Sequence, residues 1–121
     1  MTTFPERLRA LHARTPDRGA IILQFPGRDD LLIAYDQLLR SSSGFAQTLE
    51  REGIQPGEVI VLIFQHGEDL VYSFWGAILH GAIPSIMPFL TEKLSPERYR
   101  ADLSALISVT RPAAIVTYPE F

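Results

Sequence analysis

The sequence predicts an α/β fold: a three-layer βαβαβ unit with a parallel sheet and helices on both faces, preceded by a helix and a short hairpin. Three observations predict it. Val59 to Phe64 is an unbroken β-branched and apolar run, which suits a parallel strand covered on both faces. Two more such runs, Ala82 to Met87 and Ala113 to Thr117, follow at intervals that each hold one helix. Connections of that length imply right-handed crossovers between parallel strands. The third observation is size: 121 residues, 46% apolar and 21% charged, make one domain with one core, residues 1–121.

Each element has its own local reason. Phe4 to Ala13 is expected to be helical, because Thr3 can cap it, Glu6 completes a capping box, and Leu8 and Leu11 share a face. Thr15-Pro16-Asp17-Arg18-Gly19 reads as a turn. Ala20 to Phe25 is of strand length, and Pro26-Gly27-Arg28-Asp29-Asp30 turns it back into Leu31-Leu32-Ile33, a hairpin. From Tyr35 onward, Leu38, Leu39, Ser42, Phe45, Ala46 and Leu49 form one stripe at helical spacing, with Gly53 placed for a left-handed cap. Pro56-Gly57-Glu58 turns into the central strand.

Gln65-His66-Gly67 ends that strand, and Glu68 and Asp69 sit in the first turn of a third helix, where the macrodipole favours acid. To His80 this helix is apolar around most of its circumference (Leu70, Val71, Phe74, Trp75, Ala77, Ile78, Leu79), so it should lie between layers or subunits. Gly81 ends it. The next strand, Ala82 to Met87, is expected to be buried despite Pro84, and Pro88 to Leu94 is a loop. Ser95-Pro96-Glu97 starts a fourth helix with an apolar stripe of Tyr99, Leu103, Leu106, Ile107 and Thr110.

Composition removes several function classes. Eleven basic and fourteen acidic residues leave a net charge of −3, without the basic face of a nucleic-acid module. No cysteine is present, so thiol catalysis and disulfides are out. Met1 to Arg7 acquires charge at once, unlike a secretory signal. Leu70 to Leu90 carries no charged residue, but Gly76, Gly81, Pro84 and Pro88 break it, so no membrane span is expected. The chain reads as cytoplasmic.

Tested singly, the motifs are structural. Gly76 to Gly81 has the glycine spacing of a phosphate loop, yet Ala82 and Ile83 stand where lysine and serine or threonine are needed. Close packing at Gly76 and a helix cap at Gly81 explain the two glycines better. His12, His66 and His80 lack metal spacing. His66 is the one histidine at the carboxyl end of a parallel strand, where open α/β sheets bind ligands. Asp29-Asp30 and Ser41-Ser42-Ser43 have no partner groups for catalysis.

Four phrases in register carry a resemblance. Pro56-Gly57-Glu58-Val59-Ile60-Val61-Leu62 resembles the turn and strand of AMP-forming adenylating enzymes, the superfamily of acyl-CoA synthetases, fatty acyl-AMP ligases and peptide-synthetase adenylation domains. Phe74 to Pro84 resembles their next helix and strand. Ile33-Ala34-Tyr35-Asp36-Gln37-Leu38 is similar to their helix start, with Ala34 in place of the usual threonine. Pro112 to Thr117 is similar to the strand that closes this region. The likeness spans roughly residues 4 to 118, and the loop Pro88 to Leu94 looks more like the fatty acyl-AMP ligase side of the family.

The resemblance implies an N-terminal subdomain of a larger ligase, one that uses ATP and Mg to join a carboxylic acid, a fatty acid by the look of the Pro88 loop, to AMP. Such a parent passes the acyl group to CoA or a carrier-protein thiol. The family's phosphate loop, nucleotide-binding acidic motifs and catalytic lysine have no counterpart here. Lys93, the only lysine, precedes a helix and fits none of them. No catalytic, cofactor-binding or metal residue is therefore assigned, and the chain alone is expected to be inactive. The strand-end rule makes His66, Gly67, Pro88 and Phe89 the substrate-facing candidates. The rival is a free-standing interaction or dimerisation module; a flavodoxin-like nucleotide binder lacks the acidic cluster and phosphate loop it would need. The apolar third helix and an uncovered sheet edge lead to an expectation of self-association.

Overall fold

The computed structural model describes residues 3–89 and 95–119. Lys93 and most of the loop Pro88 to Leu94 lie outside them. Its elements run α1 (Phe4–Arg14), β1 (Gly19–Phe25), β2 (Arg28–Ala34), α2 (Tyr35–Arg51), β3 (Val59–Ile63), α3 (Glu68–His80), β4 (Ile83–Ile86), α4 (Pro96–Thr110) and β5 (Ala114–Thr117).

α1 begins with the reciprocal bonds of a capping box: the Glu6 N–H donates to Thr3 Oγ1 and the Thr3 N–H to Glu6 Oε2, both at 3.2 Å. β1 and β2 pair antiparallel, with Phe25 opposite Arg28. The turn is therefore only Pro26-Gly27, and Gly27 takes the left-handed φ of 72° that it needs. Arg28, Asp29 and Asp30 belong to β2 instead of the turn, because a solvent-facing ribbon end accepts polar side chains.

β3, β4 and β5 form a parallel sheet in the order β4-β3-β5. The chain steps from β3 to one side and then back across β3 to the other. Right-handed crossovers in opposite directions place α3 and α4 on opposite faces. Alternation along β3 divides its side chains accordingly. Ile60 and Leu62 join Leu49, Ile54, Ala77 and Ala82 in a core beneath α2 and α3. Val61 and Ile63 point to the α4 side and are fully buried.

β4 corrects the expectation of a buried strand: it is an edge, and Ile83 and Ile86 are each 52% exposed. The Ile83 and Met87 N–H groups donate inward, to Glu58 O and Leu62 O. Pro84, between them, therefore turns its donor-less nitrogen outward, where it blunts the edge.

A second core joins α1, the hairpin, α2 and α3 through Leu8, Leu23, Ile33, Leu38 and Tyr72. α3 belongs to both cores. Its Gly76 has no room for a side chain, since a Cβ there would lie 2.5 Å from Phe45 Cβ and 2.8 Å from Ser42 O. Gly81 caps the helix with φ 90°. Both glycines thus have packing and capping reasons.

Candidate functional site

The carboxyl ends of β3 and β5 meet where the strand order reverses, the position at which open α/β sheets form their ligand crevice. A cleft of about 440 Å³ lies there, walled by Phe64 to Asp69, by Tyr72 and by Tyr118. Its floor is the strand end, one side is the first turn of α3, and the other is the residue that follows β5.

Two of the four sequence candidates line this cleft. The His66 Nε2–H donates to Gln24 O at 2.8 Å, and its ring sits 5.0 Å from the Phe25 ring. The Arg28 guanidinium covers Phe25, 3.8 Å from the ring centroid. His66 thus fastens the turn end of the hairpin to the sheet. Gly67 stands at the N-cap of α3 with extended backbone, and a Cβ there would meet nothing within 4 Å. Its value is the space it leaves, not an unusual conformation.

Phe89 reaches the cleft indirectly, through an edge-on contact of 6.3 Å with the Tyr118 ring. Pro88 is exposed and is not among the cleft residues. The strand-end rule, applied to β3 and β4 alone, missed Tyr118. Applied to β5 as well, it points straight to that residue.

Tyr72 is the other residue the sequence did not single out. Its hydroxyl accepts from Gln37 Nε2 at 2.8 Å and donates to Glu68 Oε2 at 3.1 Å, one turn earlier on α3. Burial, followed by the adjoining Glu68 carboxylate, raises the phenol above its usual 10.0. The signal was the Glu68–Tyr72 spacing of four on a helix that opens at a strand end.

The cleft can wall and orient a ligand. Among the described residues no three His, Asp or Glu side chains converge as a metal site. His12 and His80 serve packing: the His12 ring meets Asp36 Oδ1 at 2.9 Å and the His80 Nε2–H donates to Ile54 O at 2.6 Å. The bond to His12, together with Arg40, lowers Asp36 below the usual 3.8. Among the described residues no helix is long and apolar enough to cross a membrane.

Solved structures share this architecture. A fatty acyl-adenylate ligase from Legionella pneumophila, captured with acyl adenylate and pyrophosphate, superposes with a TM-score of 0.84 over 98% of the chain at 20% identity. The chain folds like one fifth of an adenylating enzyme. It covers 20% of that ligase, and 22% of Klebsiella oxytoca NpsA, bound to 3-hydroxyanthranilyl-AMSN, which matches with a TM-score of 0.77 at 20% identity. Among sequences, Disco-interacting protein 2 homolog B-A of Danio rerio is 36% identical over 73 residues, 60% of this chain and 4% of that protein. No family model matches. The enzymes that the four sequence phrases resemble are thus also the ones whose fold the chain shares.

Proposed function

We propose that the chain is the N-terminal scaffold of an ATP-dependent carboxylic acid ligase. In this reading the parent enzyme condenses an acid with ATP, releases pyrophosphate, and passes the acyl group from AMP to the thiol of CoA or a carrier protein. One observation carries the reading: 98% of the chain follows the path of a ligase that holds an acyl adenylate and pyrophosphate. A fatty acid is the preferred substrate class, supported by the two Legionella pneumophila neighbours that act on fatty acids and by the resemblance of the loop from Pro88.

ATP and Mg belong to other parts of the parent. His66 and Gly67 contribute wall to the acyl pocket and Phe89 acts by way of Tyr118, while Pro88 lies outside the cleft. The parent works in the cytoplasm. The isolated chain self-associates, a reading supported by exposed apolar side chains on the sheet, Ile83 and Ile115 among them.

ATP–pyrophosphate exchange tests the assignment. Background exchange by the pure 121-residue chain, with acid-dependent exchange by the parent, is the expected pair of results. Exchange above background from the chain alone, or a parent that responds to no acid, overturns it. In the parent, Phe89→Ala should change the preference for acid chain length; an unchanged profile removes Phe89 from the pocket wall.

A further inference from the structure

A second cavity, remote from the strand ends, lies where α1 crosses the hairpin, α2 and α3. Its volume is about 170 Å³. The deepest residues on its wall are Leu8 and Leu38, 5% and 2% exposed. Half-buried Tyr35 and Trp75 supply aromatic faces. At the rim are Phe4 and Arg7, one helical turn apart on α1 and both exposed.

The chain leaves this space open for a local reason. The pairing of β1 with β2 slips between Gly19 and Ile21, so Ala20 sits in an irregularity of the strand. Ala20 lines the cavity with a single methyl group. A side chain with three more carbons at that position would occupy much of the volume.

Size, lining and charge together select an occupant. The space opens to solvent at the Phe4–Arg7 rim, and its size is that of an apolar void which accepts one benzene ring, about 150 Å³. Aromatic walls favour a ring over an alkyl chain of equal volume, through offset and edge-on contacts. Arg7 makes no ion pair among the described residues, and its guanidinium is suited to a carboxylate in two-pronged geometry. We propose that this cavity binds a small monocyclic aromatic carboxylate, with the ring between Trp75 and Leu8 and the carboxylate at Arg7. The site is separate from the strand-end cleft, and the proposal does not rest on the ligase reading.

Trp75 is the only tryptophan in the chain and lines this cavity, so its fluorescence can follow binding there. Titrating the 121-residue chain with phenylacetate should give a saturable change in emission. Acetate, which lacks the ring, should give none over the same range. Arg7→Gln should weaken phenylacetate about tenfold, the loss of one charge-assisted contact, and leave toluene binding unchanged. Ala20→Leu fills the cavity and should remove the saturable signal. Ala20→Met, whose unbranched chain can thread into the same space, replaces Ala20→Leu if circular dichroism shows that variant to be unfolded. A wild-type chain with no saturable response, a saturable response to acetate, equal binding by a folded filled variant, or an Arg7→Gln chain that binds phenylacetate unchanged overturns the proposal.

Discussion

α3 and α4 are the two crossover helices of one sheet, yet they are held by different forces. In α3 only Asp69 is exposed; every other residue is buried or half-buried between the sheet, α2 and α1. In α4 only Tyr99 is buried, and Val109 is 83% exposed. Their starts are reversed in quality. α3 has no side-chain cap at Gly67, whereas Ser95 Oγ accepts the Arg98 N–H of α4 at 3.3 Å. Packing can dispense with capping, and a thinly packed helix depends on its local signals.

The largest effect should come from breaking the packed side. Gly76→Val would drive a branched side chain into Phe45 and the Ser42 carbonyl, with no flexible neighbour to yield. A loss of about 3 kcal/mol is expected, spread over the whole molecule because α3 joins both cores. Urea unfolding should show a single, earlier transition. A loss below about 1 kcal/mol would mean that α2 and α3 can separate freely, and the contrast between the helices would fail.

On the thin side, Tyr99→Ala removes the one buried anchor of α4. About 2 kcal/mol is expected, under the usual range for an enclosed aromatic because water already surrounds much of the helix. Hydrogen exchange should show the loss confined to α4 amides, with α3 still protected. Uniform loss of protection would show that α4 is as integral as α3.

This contrast was written in the sequence, though not completely. The all-round apolar run from Leu70 to Leu79 identified a helix buried between layers or subunits, and it is the layers that cover it; the stripe of Tyr99, Leu103, Leu106 and Thr110 identified the inward side of α4. Ile107 was assigned to that stripe but is 36% exposed, because periodicity gives the direction of a face and not how far the sheet extends beneath it. The same limit hid the exposure of β4: Ile83 to Ile86 is apolar enough for a central strand, and strand order decides whether anything covers it. Arg111 closes α4 with a left-handed φ of 48°, where glycine would be expected. Pro112 disfavours further helix there, but nothing in the residue itself announces the conformation. At the candidate site, His66 and Gly67 were legible because the end of a strand is. Tyr118 and the hairpin contact of His66 depend on which strands become neighbours, and no local pattern encodes that.

Capping should separate the helices by a smaller margin. Ser95→Ala is expected to cost about 1 kcal/mol, the usual worth of an N-cap. The companion change Gly67→Ser should add little to α3, whose position packing already fixes. Acid should act on the same point. Glu97 lies below its usual 4.5, chiefly through its own backbone N–H and then the Ser95 hydroxyl. A depressed carboxyl contributes stability above its unfolded value and loses it as pH falls through the folded one. Protection in the first turns of α4, taken relative to the intrinsic exchange rate at each pH, should therefore fall below about pH 4.5, and Glu97→Gln should flatten that fall. A Glu97→Gln chain with the full acid response would place the titrating group elsewhere.

The smallest effect expected is at Val109, the most exposed large apolar side chain of α4. Valine and serine have similar helix propensities, and an exposed site away from caps and core shifts stability by no more than about 0.5 kcal/mol. Val109→Ser should therefore leave the urea midpoint where it is. It should also lower self-association of the isolated chain, as measured by sedimentation, since it removes one apolar group from the helix with the least cover. A clear fall in stability would mean that Val109 is covered in solution by another copy of the chain. A stable variant that associates as strongly as the parent sequence would move the contact away from α4, to the exposed isoleucines of the sheet.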